Sequence, residues 1–228
     1  MKTLSIFHNK ILRGFLKLSK SSPVTALYFL LGELPIEARL HIDVLSLFYN
    51  IWSNPDTTIH KVVKYILQMT SEKSTTWSCH LRLISLKYGL PDPLTLLDTG
   101  HWSKTKWKTL TKTKITVFFE NQLRSQAMQN SKMKYLNVQI LGLSGIPHPA
   151  LQNIKTTQDS LKLRAHLKFL TGDYLTAERL SIDQGTNPKC RLCSAPCEST
   201  EHILTQCRAT SDIYERLLPH STYLENPS

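Results

Sequence analysis

Four residues near the carboxyl end of the sequence have the types and spacing of a metal site. They follow the pattern Cys-x2-Cys-x8-His-x4-Cys and are Cys190, Cys193, His202 and Cys207. Proteins bind structural zinc through four thiolate or imidazole ligands arranged as a tetrahedron, and a two-residue gap lets one tight turn direct two thiolates to the same ion. The pattern therefore predicts one structural Zn²⁺ ion. Because the protein would supply all four ligands, no position is left for a reactive water.

Two further cysteines leave alternatives open. Cys197 lies inside the motif, where it could replace one ligand or remain an unliganded thiol. Cys79 stands alone, and we expect it to be a small core residue. Disulfides within the cluster would suit a secreted chain, but His8 and Lys10 interrupt the first apolar run, unlike in a secretory signal. We therefore expect a reducing intracellular compartment, the nucleus or the cytoplasm, where a metal site is the better interpretation.

The positive charge is concentrated in the middle of the chain. The 228 residues carry a formal net charge of +11. Residues 101–170 contain 12 basic and 2 acidic side chains, whereas residues 171–228 contain 5 basic and 8 acidic ones. A basic segment of this kind suits a polyanion, and nucleic acid, RNA or DNA, is the commonest. The candidate contacts are Lys104, Lys106, Trp107, Lys108, Lys112, Lys114, Lys162 and Lys168.

In this interpretation the lysines contact phosphates, while Trp107, with Trp102 and Tyr135, stacks on bases. The competing interpretation makes the lysines a solvated face and Trp107 a core residue, so that the chain would be a zinc-stabilised module that binds another protein. A third possibility concerns residues 1–32, which hold five basic residues and no acid. They resemble a mitochondrial presequence or a membrane-surface helix, although a helix packed on its neighbours is the simpler interpretation. We expect no membrane partner and no small-molecule substrate.

Apolar spacing indicates a mainly α-helical chain. Residues spaced by three and four recur between prolines and glycines, most clearly at 26–31, 40–51, 59–67, 77–88, 115–130 and 159–170. Residues 104–114 are ambiguous, because their threonines suit a strand as well as a helix. We expect an irregular helical bundle followed by a small Cys-Cys-His-Cys zinc module with a short helix. The expected divisions are a helical domain (1–98), a basic helical segment and linker (99–150), basic helices leading into the zinc module (151–186), and the zinc module with a C-terminal helix or tail (187–228).

Three stretches of the sequence resemble one family. The first runs from Leu12 to Arg39 and contains Ala-Leu-Tyr-Phe-Leu-Leu-Gly-Glu-Leu-Pro, and the second is Leu-Thr-Gly-Asp-Tyr at 170–174. The third is Cys-Arg-Leu-Cys at 190–193, followed by Glu-Ser-Thr-Glu-His-Ile-Leu-Thr-Gln-Cys at 198–207. Together they resemble the region that follows the polymerase in non-LTR, LINE-like retrotransposon reverse transcriptases, and they span most of the chain.

The resemblance implies a region that helps to grip template RNA and target DNA beside the polymerase domain of a parent element. The endonuclease and polymerase motifs of that family precede this region. The sequence has no adjacent aspartate pair of the kind that holds two magnesium ions in a polymerase, no Ser-His-Asp order and no glycine-rich phosphate loop. We therefore expect no catalytic residues and no enzymatic activity. A decayed copy of such an element, a truncated gene model and a domesticated fragment are the alternative origins.

Overall fold

The structure, a computed structural model, describes residues 2–69, 76–99, 102–152 and 154–210. Helices dominate these residues, and no strand occurs among them. The predicted mainly α-helical fold is thus confirmed. The chain divides into two compact units, Met1–Gly172 and Asp173–Ser228. The predicted C-terminal helix or tail falls largely after residue 210, outside the described residues.

Short turns join most helices of the first unit, whereas the longer segment 129–148 separates its seventh helix from its eighth, and in the second unit residues 185–201 separate the helix from the helical turn. Those of the first unit are α1 (Lys2–Phe15), α2 (Val24–Leu31), α3 (Ile36–Trp52), α4 (Thr58–Met69), α5 (Trp77–Lys87), α6 (Pro93–Thr99), α7 (Lys104–Met128), α8 (Pro149–Gln152) and α9 (Thr157–Leu170), with a 3₁₀ turn at Ser131–Met133. Those of the second unit are α10 (Ala177–Gln184) and a π-helical turn at His202–Gln206.

Helix α2 lies at the centre of the first unit, because nearly all of its side chains are apolar. Residues 25–30 are all buried. The helix ends at Gly32, which has a φ of +64°, and the N–H of Glu33 donates to the carbonyl of Tyr28 across the turn. A side chain at position 32 would overlap the backbone of Ile146. Glycine is therefore required both for the left-handed conformation and for the close approach of the chain.

Helix α7 spans 25 residues, which corresponds to about 37 Å at 1.5 Å per residue. It buries one residue in every four: Trp107, Thr111, Ile115, Phe119, Leu123 and Ala127. The indole N–H of Trp107 donates to the carbonyl of Leu45 in α3 at 3.0 Å, and its ring lies 6.5 and 5.6 Å from the rings of Phe48 and Trp52. Residues 104–114 are helical because this buried stripe outweighs the modest helix propensity of threonine. The same packing joins residues 1–98 and 99–150 within one unit.

Helix α1 lies at the surface of the first unit, and none of its residues is fully buried. The Tyr28 hydroxyl of α2 donates to Asn9 at 2.6 Å, and Arg13 donates to the carbonyl of Ser22 at 2.9 Å. Helix α1 therefore packs on its neighbour, as the simpler interpretation of this segment expects. None of the helices in the described part of the chain has the length and apolar character needed to cross a membrane.

Candidate metal centre

The second unit brings Cys190, Cys193, His202 and Cys207 together. Their candidate ligand atoms all lie within 4.8 Å of one another. The sulfurs of Cys190 and Cys207 are 3.9 Å apart, and the sulfur of Cys193 lies 3.2 Å from Nε2 of His202. Zinc bonds of about 2.3 Å to sulfur and about 2.0 Å to nitrogen place tetrahedral ligand atoms roughly 3.5–3.8 Å apart. The cluster therefore has the size and the donor atoms to hold one metal ion.

A tight turn presents the first two cysteines. The N–H of Ser194 donates to the carbonyl of Cys190 at 2.9 Å, and the N–H of Cys190 donates to the carbonyl of Ala195 at 2.8 Å. Ser194 has a φ of +60°, so the chain reverses through the left-handed region immediately after Cys193. This turn explains how a two-residue gap directs both sulfurs to one point.

A wide helical turn presents the other two residues of the cluster. The hydroxyl of Ser199 accepts a hydrogen bond from the N–H of His202 at 3.0 Å, and the π-helical turn His202–Gln206 begins there. The turn closes with a 2.7 Å hydrogen bond from the N–H of Cys207 to the carbonyl of His202. Residues five apart diverge by roughly 140° in an α-helix, whereas the wider i→i+5 turn brings the fifth residue back toward the first. The gap between His202 and Cys207 therefore suits a π turn.

The neighbouring thiols influence each other's protonation. Burial raises the pKa of Cys190, but the N–H groups of Leu192 and Cys193 stabilise its thiolate and the net shift is downward. The N–H of Ala195 lowers the pKa of Cys193, yet burial and the hydrogen-bonded sulfurs of Cys207 and Cys190 raise it overall. Three thiolates at this separation repel one another, and a divalent cation would remove that repulsion. The donor set thus fits a cation that prefers thiolate and imidazole ligands.

The described part of the second unit has little apolar interior to stabilise it. Among its described residues, 173–210, the buried ones are Asp173, Thr176, Ala177, Cys190, Glu198, His202 and Cys207. Ala177 is the only aliphatic side chain in that described set. All of its cysteines are free thiols. The whole unit spans Asp173–Ser228, and domains of about 60 residues are only marginally stable through apolar burial. A metal bound at this cluster would therefore add to its cohesion.

Glu198 is a buried carboxylate, 1% exposed, that connects two parts of the second unit. It accepts the backbone N–H of Arg191 at 2.8 Å and that of Ala177 at 3.0 Å, and the guanidinium of Arg191 pairs with both of its oxygens. Hydrogen bonding from the Arg191 side chain is the largest cause that lowers the pKa of Glu198, to about 2. Ala177 begins α10, and Arg191 lies between Cys190 and Cys193. The carboxylate therefore ties helix α10 to the turn that presents two metal ligands.

The remaining cysteines, Cys79 and Cys197, are not members of the cluster. Cys197 is half-buried and is not a member of the four-residue group. Burial and the nearby carboxylate of Glu178 raise its pKa. The structure thus favours the ligand set with Cys207 over one that uses Cys197. Cys79 is buried in α5.

A basic surface extends around the exposed sides of the N-terminal half of α7, and we call this surface the α7 basic face. It consists of the exposed residues Lys104, Lys106, Lys108, Lys112 and Lys114. Within the described ranges, no carboxylate pairs with any of these five lysines. Elsewhere in the same unit Lys64 pairs with Asp98 and Lys87 pairs with Glu37. The positive charge of the α7 basic face is therefore not neutralised by the described part of the protein.

The other predicted contacts differ in accessibility. Lys162 is exposed on α9, whereas Lys168 is half-buried. Trp107 is 2% exposed, so the prediction that it stacks on a base is wrong and the alternative, a core residue, is correct. Tyr135 packs against Phe169 with ring centres 4.5 Å apart. Trp102 is half-buried beside Trp107 and carries the ammonium of Lys106 4.6 Å from its ring centre.

The chain matches no family model, no curated protein and no solved structure. The function is therefore inferred from the chemistry of the four-residue ligand cluster and of the α7 basic face. Four protein ligands complete a tetrahedral zinc site, so this cluster suits a structural ion rather than one that activates water. The α7 basic face suits an anionic partner.

Proposed function

We propose that this chain is a zinc-stabilised region that binds nucleic acid and has no catalytic activity of its own. The observation that carries the proposal is the α7 basic face, five exposed lysines without a carboxylate partner among the described residues. A protein neutralises nucleic-acid phosphates with such side chains, and the released counterions drive binding. RNA, DNA or both would be the ligand.

The position of the lysines within α7 strengthens this argument. The amino end of a helix carries partial positive charge, and acidic side chains are favoured there. The first turn of α7 contains no acid, and Glu120 is the first acidic residue of the helix. Lysines at this end are electrostatically unfavourable in the free protein. An anionic ligand would reverse that effect, since it would meet the lysines and the helix dipole together.

We assign the metal as zinc on the basis of its ligands. Three thiolates and one imidazole in a closed group are typical of structural Zn²⁺ and unlike the oxygen-rich sites of magnesium or calcium. When bound, the ion would cross-link the turn at Cys190–Ser194 to the π-helical turn that carries His202 and leads to Cys207. We infer no catalytic step at this site, because no ligand position is open.

We further propose that the chain derives from a non-LTR retrotransposon reverse transcriptase, in the region after the polymerase. Support comes from the residues that carry the resemblance. The four ligands of the motif are the four that cluster, and Gly32 and Gly172 of the other two stretches both have positive φ and sit where a side chain would overlap the backbone. The polymerase domain of a parent protein would then be an additional partner.

A protein-binding role is the second candidate, and one observation favours it. Helix α4 exposes a stripe of apolar side chains at spacings of three and four: Ile59, Val62, Ile66 and Met69. Such a stripe is typical of a surface that another protein or segment covers. It does not compete with the α7 basic face, which lies on a different helix.

Titration of labelled nucleic acid with the zinc-loaded protein tests the proposal. A 20-nucleotide RNA, the same DNA and its duplex are followed by fluorescence anisotropy between 50 and 300 mM salt. We expect binding whose logarithm falls linearly with the logarithm of salt concentration. The absence of binding to all three probes at 50 mM salt would refute nucleic-acid binding and leave the protein-binding role as the better candidate.

A further inference from the structure

Helix α7 begins with a Lys-Thr pair that recurs every four residues. The pairs are Lys104-Thr105, Lys108-Thr109 and Lys112-Thr113. All six side chains are exposed. Four residues turn an α-helix by about 400°, so each pair is displaced by about 40° around the axis and about 6 Å along it. The three pairs therefore form one slowly winding band, which we call the Lys-Thr band.

The packing of α7 fixes the direction of this band. Trp107, Thr111 and Ile115 are buried, and each follows a lysine of the band by three residues and a threonine by two. The threonines therefore lie about 160° around the axis from this buried stripe, and the lysines flank it at about 60–100°. Thr111 uses its hydroxyl within the helix, since Oγ1 donates to the carbonyl of Trp107 at 2.9 Å. In the part of the chain that the structure describes, the hydroxyls of the three threonines in the band have no such partner. Their donors remain available to a ligand.

We propose that the Lys-Thr band binds the sugar–phosphate backbone of nucleic acid and does not read bases. This inference rests on the proposed nucleic-acid-binding function and specifies its surface and its mode. Ammonium groups neutralise phosphate charge, and threonine hydroxyls donate to phosphate oxygens. The exposed residues between 104 and 114 include no aromatic, amide or guanidinium side chain that would stack on bases or form paired hydrogen bonds with their edges. Binding through this band is therefore independent of sequence.

An anionic membrane surface presents phosphates as well, but the geometry of α7 fits it less. Helices that lie on membranes insert an apolar face into the lipid. The apolar stripe of α7 is already buried in the first unit. The band then offers only charge and hydroxyl groups, which suit a phosphate chain in water.

Two triple variants of the zinc-loaded full chain test the inference, with fluorescein-labelled oligo-dT, a mixed-sequence 20-mer and its duplex as probes. Changing Lys104, Lys108 and Lys112 to Gln should reduce the steepness of the salt dependence. The slope of log affinity against log salt concentration should become less negative by about two to three. Changing Thr105, Thr109 and Thr113 to Val should lower affinity by about tenfold without changing that slope, because only hydrogen bonds are lost. The matched control changes the exposed residues Lys2, Lys10 and Lys20 of another part of the unit to Gln and should alter the slope by less than one unit.

The outcomes separate this inference from the proposed function. If the parent binds the probes and both triple variants behave like the matched control, the band is not the binding surface, while nucleic-acid binding stands. If the parent binds no probe, both ideas fail. A difference of more than tenfold between oligo-dT and the mixed sequence would overturn backbone-only recognition. The lysine variant is also tested on vesicles that contain 30% phosphatidylserine. If it loses binding to the vesicles while its nucleic-acid binding is unchanged, the band binds membranes and the inference is overturned.

Discussion

Replacement of Glu198 by glutamine examines how strongly the metal centre depends on a residue that does not ligate the ion. Glutamine keeps the size of the side chain, and its carbonyl oxygen can still accept the N–H of Ala177. Its amide group, however, would present N–H donors to the N–H donors of Arg191. A buried donor that faces another donor loses its hydrogen bond and its solvation together. The turn that carries Cys190 and Cys193 would then be held less firmly against α10.

The size of the effect follows from the lowered pKa of Glu198. A change from 4.5 to about 2 corresponds to roughly 3.4 kcal/mol at 1.36 kcal/mol per pKa unit. The side chain of Arg191 is 56% exposed, so solvent screens part of this interaction and we expect a loss of about 2 kcal/mol. A carboxylate with a lowered pKa stabilises the fold fully above its ordinary pKa, and this stabilisation disappears as the pH falls from about 4.5 to about 2. At pH 7 the whole effect is present.

Zinc affinity at pH 7 is the appropriate measurement, because folding of such a unit is coupled to metal binding. Competition with a coloured chelator should show a dissociation constant about 30-fold higher for Glu198→Gln than for the parent. The matched control is Glu201→Gln, which removes the same charge from an exposed side chain next to His202. It should shift the constant by less than about threefold. Parental affinity in Glu198→Gln would refute the reasoning.

Other perturbations test the remaining parts of the structure. Elemental analysis should find one zinc per chain, abolished in Cys193→Ser and retained in Cys197→Ser; full zinc in the first variant would contradict the assigned ligands. Gly32→Ala should lower the unfolding free energy, measured by urea denaturation, by at least about 1 kcal/mol. Gly14→Ala is the control, because no atom lies within 4 Å of the new methyl group, and it should raise the same free energy by about 0.5–1 kcal/mol. Trp107→Ala should cost about 3–5 kcal/mol of stability, and an unchanged melting curve would return Trp107 to the candidate contacts. Primer extension with magnesium and deoxynucleotides should give no product, and any template-dependent product would disprove the absence of polymerase activity.

The ligand cluster was predictable because metal ligation depends on residue type and short spacing. Cys190 and Cys193 need only one tight turn between them, and His202 with Cys207 needs only one helical turn. The long amphipathic helices were predictable for a similar reason, since their apolar residues recur at three and four. Thus α9 was expected at 159–170 and spans Thr157–Leu170.

Features that depend on distant packing were not predictable in the same way. The lysines and threonines of residues 104–114 suited a strand or a helix, and only the contacts of Trp107 with α3 decide between them. The same contacts place Trp107 in the core, although its sequence neighbours are lysines. Glu198 gave no signal of burial, because its partners are a backbone N–H at Ala177 and an arginine inside the metal turn.

The two proposed properties belong to units that are stabilised by different means. The first unit has a continuous apolar core that fixes α7 through Trp107, Ile115 and Phe119. The described part of the second unit buries mainly its candidate ligands, Glu198 and a few small residues. A metal ion bound there would, together with one ion pair, supply most of the cohesion of this described part. Loss of the metal should therefore act on the second unit and leave the Lys-Thr band in place. A zinc requirement for nucleic-acid binding would then mean that the second unit contributes contacts of its own, beyond those of α7.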